Sequence, residues 1–151
     1  MNNYEESIKV MTELFSKDYT FVLATTTNNI PSARVIDTYY ADGVFWIVTY
    51  ANSNKVKDIL DNSNVALCND FYTFRGSAYN MGHPLKTENK EIREMLIQVF
   101  EPWYFAHNNE EDENMCFVKM VPESGFFHKD GTGYRVNFLK KEADKIPFDP
   151  K

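Results

Sequence analysis

Three side chains in the stretch WIVTYANSNKVKDIL, Thr49, Ser53 and Lys55, stand where an apolar strand-like run gives way to a helical pattern. A helix N-terminus exposes unpaired backbone N–H groups and a partial positive charge, so an anion placed there meets several donors at once. Thr49 and Ser53 would add hydroxyl donors and Lys55 a full charge, which together would make a seat for a phosphate. The same residues also allow a plainer arrangement, in which Ser53 caps the helix and Lys55 lies in solvent.

A second cation lies nearby in the pattern. In PSARVIDTYY, side-chain alternation puts Arg34 on the face of Ile36 and Thr38, opposite Ala33, Val35 and Asp37. Adjacent strands are about 5 Å apart, so Arg34 near the start of one strand is expected beside Thr49 near the end of its antiparallel partner. An arginine on a strand is also, in many proteins, only an exposed charge.

The elements that would position these groups follow from periodicity. Tyr4, Ile8, Met11 and Leu14 or Phe15 recur at helical spacing over residues 3–16. TFVLATT, the turn NNIPS, ARVIDTYYA, an Asp42-Gly43 hairpin and VFWIVTY then predict a three-strand meander. After a helix at 54–60, NVALCND and FYTFRGSAYNM predict further strands, with Gly76 marking a bulge or a close backbone approach. A second amphipathic helix is expected from Thr87, its cap, to Phe100, with Ile92, Met95, Leu96 and Val99 on one face and Pro102 ending it. The run from Ala106 to Asn114, with Glu110, Glu111, Asp112 and Glu113, is expected as a solvated loop. MCFVKMV, then SGFFHK beyond Pro122, the turn DGTG and YRVNF predict the last strands before a polar tail. The expected fold is mainly β (α+β): one domain over residues 1–151, with six to eight short strands and three helices in a closed or half-closed antiparallel, Greek-key-like barrel. A parallel α/β sheet would need regular strand-helix alternation.

Composition narrows the function. With 43% hydrophobic residues in 151, the chain can bury one real core without disulfides or metal. A net charge of −6 and the lack of a basic cluster argue against a nucleic-acid partner. Cys68 and Cys116 lie in apolar runs and are expected to be buried free thiols, which makes the cytoplasm the expected location. The N-terminus lacks a basic leader with an apolar run, and no segment is long enough to span a bilayer, so no membrane partner is expected. His83, His107 and His128 share no metal-ligand spacing, and Cys116 has no basic neighbour in sequence to activate it. Nine tyrosines and twelve phenylalanines suggest aromatic surface beyond one small core, available to a partner face or a flat ligand.

Taken in order, the opening helix, a strand carrying Arg34-Val35-Ile36, the Asp-Gly hairpin, an aromatic strand and T-x-x-x-S-x-K entering a helix resemble the pyridoxamine 5′-phosphate oxidase-like superfamily of FMN-binding split β-barrels. The resemblance is specific over residues 4 to about 85 and loose beyond. It implies that Arg34, Thr49, Ser53 and Lys55 hold the phosphate of FMN and that backbone groups at Val35 and Ile36 meet the isoalloxazine edge. It also implies a homodimer with the flavin at the subunit interface, which would use the aromatic surplus. Trp103 is the candidate to cover a partner's flavin ring, or else a core or dimer-core tryptophan.

The chain departs from the oxidase itself. Asn54 replaces an arginine of the phosphate motif, the glutamine-bearing strand has no equivalent in NDFYTFRGS, and the C-terminal arginine-histidine segment that grips pyridoxal is missing. The expectation is therefore a relative of the general-stress-protein and nitroimidazole-reductase branches, not a pyridoxamine 5′-phosphate oxidase. It would be an FMN-dependent oxidoreductase acting on a small-molecule substrate, with NAD(P)H as a possible donor. The alternatives are a flavin- or ligand-binding stress-related protein without turnover, and an interaction dimer with an altered site.

Overall fold

In the computed structural model, which describes residues 1–151, helix α1 (Asn3–Phe15) leads into β1 (Tyr19–Thr27), β2 (Ile30–Ala41), β3 (Val44–Tyr50), α2 (Asn54–Asp61), β4 (Asn64–Asn69) and β5 (Tyr72–Gly82). A 3-10 turn (Thr87–Asn89), α3 (Lys90–Val99), α4 (Trp103–His107), β6 (Met115–Lys129), β7 (Thr132–Asn137) and β8 (Glu142–Pro147) complete the chain. The strands are antiparallel in the order β3-β2-β1-β4-β5-β6-β7-β8, and β3 also pairs with β6. That last pairing closes the first six into a barrel, and β7 and β8 extend the sheet from its wall.

The barrel is plugged from one end by α1. Asn2 caps this helix by accepting a hydrogen bond from the Glu5 N–H, 2.8 Å away. Val10, Met11 and Phe15 are then buried on its inner face. Phe15 is fully buried with its ring centroid 5.0–6.2 Å from those of Tyr19, Phe21, Phe45, Tyr72, Phe74 and Phe127. Part of the aromatic surplus is therefore spent inside the barrel, while Phe71, Tyr79 and Phe105 stay exposed on its surface. A second, smaller cluster of Leu96, Phe100, Tyr104, Met115 and Phe117 holds α3 and α4 against the outside of β3 and β6.

The wall bends where the sequence marks it. The β5–β6 register shifts between Arg75 and Gly76, where a Cβ would stand 2.0 Å from the Val121 carbonyl oxygen. Opposite this bulge is Pro122, whose missing N–H is tolerated there, so β6 runs unbroken for 15 residues where two strands were expected. Pro31 likewise lies within β2 rather than in the turn, which is confined to Asn28 and Asn29, both at positive φ.

Other expectations needed correction. The presumed polar tail forms β8, an edge strand tied to α1 by the Lys145–Glu6 ion pair (2.7 Å) and by Asn3 donating to the Ala143 carbonyl. The second amphipathic helix begins as the 3-10 turn, α3 is flanked by Asn89 rather than capped by Thr87, and Met95 is exposed while Leu96 is buried. Beyond Pro102 the chain forms α4. Glu110 is not solvated: it accepts two 2.7 Å hydrogen bonds from Arg93 and one of 2.9 Å from the Tyr104 hydroxyl. Those donors hold its carboxyl below the usual range. Cys68 is exposed, because it falls on the outward face of β4; only Cys116 is buried. No helix is long and apolar enough to cross a membrane.

Candidate functional site

Strand β3 delivers Thr49 to the barrel rim, and Tyr50 to Ser53 turn the chain into α2. Thr49 is buried, and its hydroxyl accepts a 3.1 Å hydrogen bond from the Lys55 ammonium. Ser53 occupies the N-cap position of α2 but does not cap it; its hydroxyl donates back to the Tyr50 carbonyl at 2.7 Å. No side chain satisfies the first-turn N–H groups of α2, which leaves the donors that favour an anion. Asn54 is exposed in that first turn.

Lys55 is half-buried and has no carboxylate within ion-pairing distance, since none of the chain's four salt bridges includes it. Burial and the nearby Arg34 charge pull its pKa below the ordinary lysine value. Its neighbour Cys116, cross-strand from Thr49, is pushed up to about 11 by burial and is a packing group rather than a nucleophile.

Arg34 reaches this place by a route the strand pattern does not show. Pairing of β2 with β3 covers only Tyr39 to Ala41, so Arg34 is not beside Thr49; its cross-strand partner is Leu23 and that of Thr49 is Cys116. Before Tyr39, β2 pairs only with β1, and α2 bridges the two strands through Lys55 to Thr49 and Asp58 to Arg34. The guanidinium is held by Thr25 Oγ1 at 2.7 Å and the Leu23 carbonyl at 3.3 Å, both through Nη1, with Asp58 of α2 at 3.8 Å from Nη2. Its Nε and Nη2 make no hydrogen bond and so remain available as donors.

Thr25 and Asp58 are therefore positioning residues that sequence reasoning missed. Thr25 is buried, accepts from Arg34 and donates to Asp58 at 2.7 Å, which ties β1, β2 and α2 together behind the cations. The available signal was register: Thr25 is the diagonal neighbour of Arg34, two residues from Leu23.

From Ile30 to Thr38 the outer edge of β2 carries no strand, so backbone groups on that side near Val35 and Ile36 are open to a ligand. Val35 is 68% exposed, while the Ile36 side chain is buried in the core. Trp103 is not in contact with the cations. It stacks on Phe100 with centroids 4.5 Å apart and donates Nε1–H to Asp18 at 2.9 Å. Asp18 is in turn close enough to Asp37 to act on its charge: the Asp37 pKa is raised by burial and then by that neighbouring carboxylate. Through Asp18, Trp103 is thus held on the side of Asp37, which lies on the outward face of β2 two residues from Val35.

The donor set fits a phosphate. Arg34 and Lys55 are close enough to feel each other's charge, no carboxylate ion-pairs with the lysine, and Arg34 and the first turn of α2 keep unused donors. The comparisons with known proteins agree with this architecture. The family model described as pyridoxamine 5′-phosphate oxidase matches residues 8–129. The chain belongs to the pyridoxamine 5′-phosphate oxidase family. Membership extends well past residue 85, where the sequence resemblance becomes loose.

Solved structures share the fold of this family member at low identity. General Stress Protein 26 from Bacillus anthracis is 22% identical, with a TM-score of 0.57 over 97% of this chain and 100% of that one. A NimC/NimA family protein from Clostridium acetobutylicum is 18% identical, with a TM-score of 0.59 over 96% and 97%. An FAD-binding protein from Mesorhizobium loti is 12% identical, with a TM-score of 0.59 over 78% and 90%. No curated protein sequence matches the chain.

Proposed function

We propose that the protein binds FMN, with its phosphate at Arg34, Thr49, Ser53 and Lys55, and acts as a flavin-dependent oxidoreductase on a small molecule. The observation that carries this reading is the half-buried Lys55, unpaired with any carboxylate and 3.1 Å from Thr49 at an uncapped helix N-terminus. Family membership and a structural neighbour described as FAD-binding support a flavin as the ligand.

When bound, the flavin supplies the hydride or electron chemistry, and the chain supplies anchorage and orientation. Lys55 and Arg34 neutralise the phosphate, and Thr25 and Asp58 fix the guanidinium before binding, which reduces the ordering cost. The open edge of β2 at Val35 and Ile36 offers backbone groups to the ring. Asn54, in place of a charged residue, leaves the seat with two cations. No side chain of this site is required as acid or base, and Cys116 stays a thiol.

A homodimer with the site at its interface is part of the proposal. Val22 and Val35 form an exposed cross-strand pair on the outer face of β1 and β2, 38% and 68% exposed, and a second copy would cover them. Trp103, or its counterpart in the second copy, would then close the ring's face.

The test is the visible spectrum of the purified protein after FMN is added and the excess removed, combined with sedimentation. Retention of about one flavin per chain on a dimer, with saturable NAD(P)H oxidation, supports the oxidoreductase. Retention without turnover favours a flavin-binding protein, and failure to retain FMN removes the flavin reading.

A further inference from the structure

A concavity lies between β3, the end of β5 and the first turns of α3, and none of the residues around Lys55 lines it. It is a groove of about 530 Å³, within the size range of small-molecule sites. Its apolar surface comes from Trp46, Met81, Ile92 and Met95. Asp42, Glu88 and Glu91 rim it, against the single cation Lys86, and none of these four takes part in an ion pair.

Asn89 gives the groove a fixed polar group. Its residue is 3% exposed, and its amide nitrogen donates to the carbonyls of Met81 at 3.1 Å and His83 at 2.9 Å. Those two bonds use both amide hydrogens and set the orientation of the side chain. Its Oδ1 receives no hydrogen bond, yet no fully buried side-chain atom of the protein lacks a partner. The oxygen therefore reaches the surface of the groove that Asn89 lines, as a preset acceptor.

An acceptor without a donor, a rim with excess negative charge, and an indole beside two thioethers specify one ligand chemistry. We propose that this groove binds an organic cation, an ammonium or guanidinium carried on an apolar or aromatic body. The cationic N–H groups would donate to Asn89 Oδ1 and pair with Glu88 and Glu91, and the body would lie on Trp46, Met81 and Met95. Exposed carboxylates contribute little singly, so recognition needs both the charge and the apolar body. The inference is independent of the flavin, because it uses none of the residues at Lys55.

Calorimetric titration of the full chain with 2-phenylethylammonium tests it, with 3-phenylpropionate as the anion of matching shape. The expected result is saturable one-to-one binding of the amine, none of the anion, and a loss on the order of tenfold in affinity for the Glu88→Gln, Glu91→Gln double variant. Both substitutions are at exposed positions and preserve the fold. No saturable heat into the millimolar range, equal binding of the anion, or unchanged affinity in the double variant would each overturn the proposal.

Discussion

The Lys55 ammonium donates to the Thr49 hydroxyl at 3.1 Å and has no carboxylate partner, although it is half-buried and close enough to Arg34 to feel its charge. Desolvating a cation beside another cation is unfavourable unless an anion joins them. The relationship is the electrostatic core of the proposed phosphate seat, and it determines how variants should behave.

Lys55→Ala and Arg34→Ala should each weaken FMN binding by about 2–3 kcal/mol, the range of charge-assisted hydrogen bonds. Thr25→Val should weaken it less, because it frees the guanidinium without removing it. Quenching of flavin fluorescence on titration measures all three, and unchanged affinity in the two charge variants would remove both cations from the seat.

The pH dependence has a definite sign. Lys55 has a lowered pKa in the free protein, and a bound phosphate raises it again. Affinity is therefore full below the free-protein pKa and falls as pH rises through it, beginning at a lower pH than an ordinary lysine would show. Lys55→Arg should flatten this alkaline limb, since a guanidinium does not titrate there. Affinities across alkaline pH for both forms provide the check.

The two thiols should separate cleanly. Cys68 is exposed, whereas burial pushes Cys116 up to about 11. Native protein at pH 8 should alkylate at Cys68 only, and both should react after denaturation; mass spectrometry distinguishes the positions. Rapid native labelling of Cys116 would contradict its placement in the wall.

Gly76→Ala should be among the most disruptive small substitutions, because the new Cβ would stand 2.0 Å from the Val121 carbonyl oxygen and force the β5–β6 pairing apart. A loss of at least about 2–3 kcal/mol in denaturant unfolding is expected, comparable to overpacking a core. Wild-type stability in this variant would mean that the bulge relaxes freely.

Much of the barrel was legible in sequence because local chemistry agreed with the global fold. Asp42 and Gly43, both at positive φ, form the hairpin their types predict, and alternation correctly put Arg34 with Ile36 and Thr38. The route of Arg34 to the site was not legible, since it depends on β2 leaving β3 at Tyr39 and on α2 bringing Lys55 to Thr49 and Asp58 to Arg34. β8 was hidden because an edge strand outside the barrel buries little and carries no strong apolar alternation. Glu110 looked like one of a run of solvated acids, and only the fold brings Arg93 and Tyr104 to it.

The central claim is that this site recognises the phosphate as well as the ring. The most direct measurement is the affinity of the unmutated protein for FMN and for riboflavin, which lacks the phosphate. FMN should bind more tightly by at least about two orders of magnitude, as expected when two charge-assisted contacts are lost together. Equal affinity for the two would contradict the seat formed by Arg34, Thr49, Ser53 and Lys55.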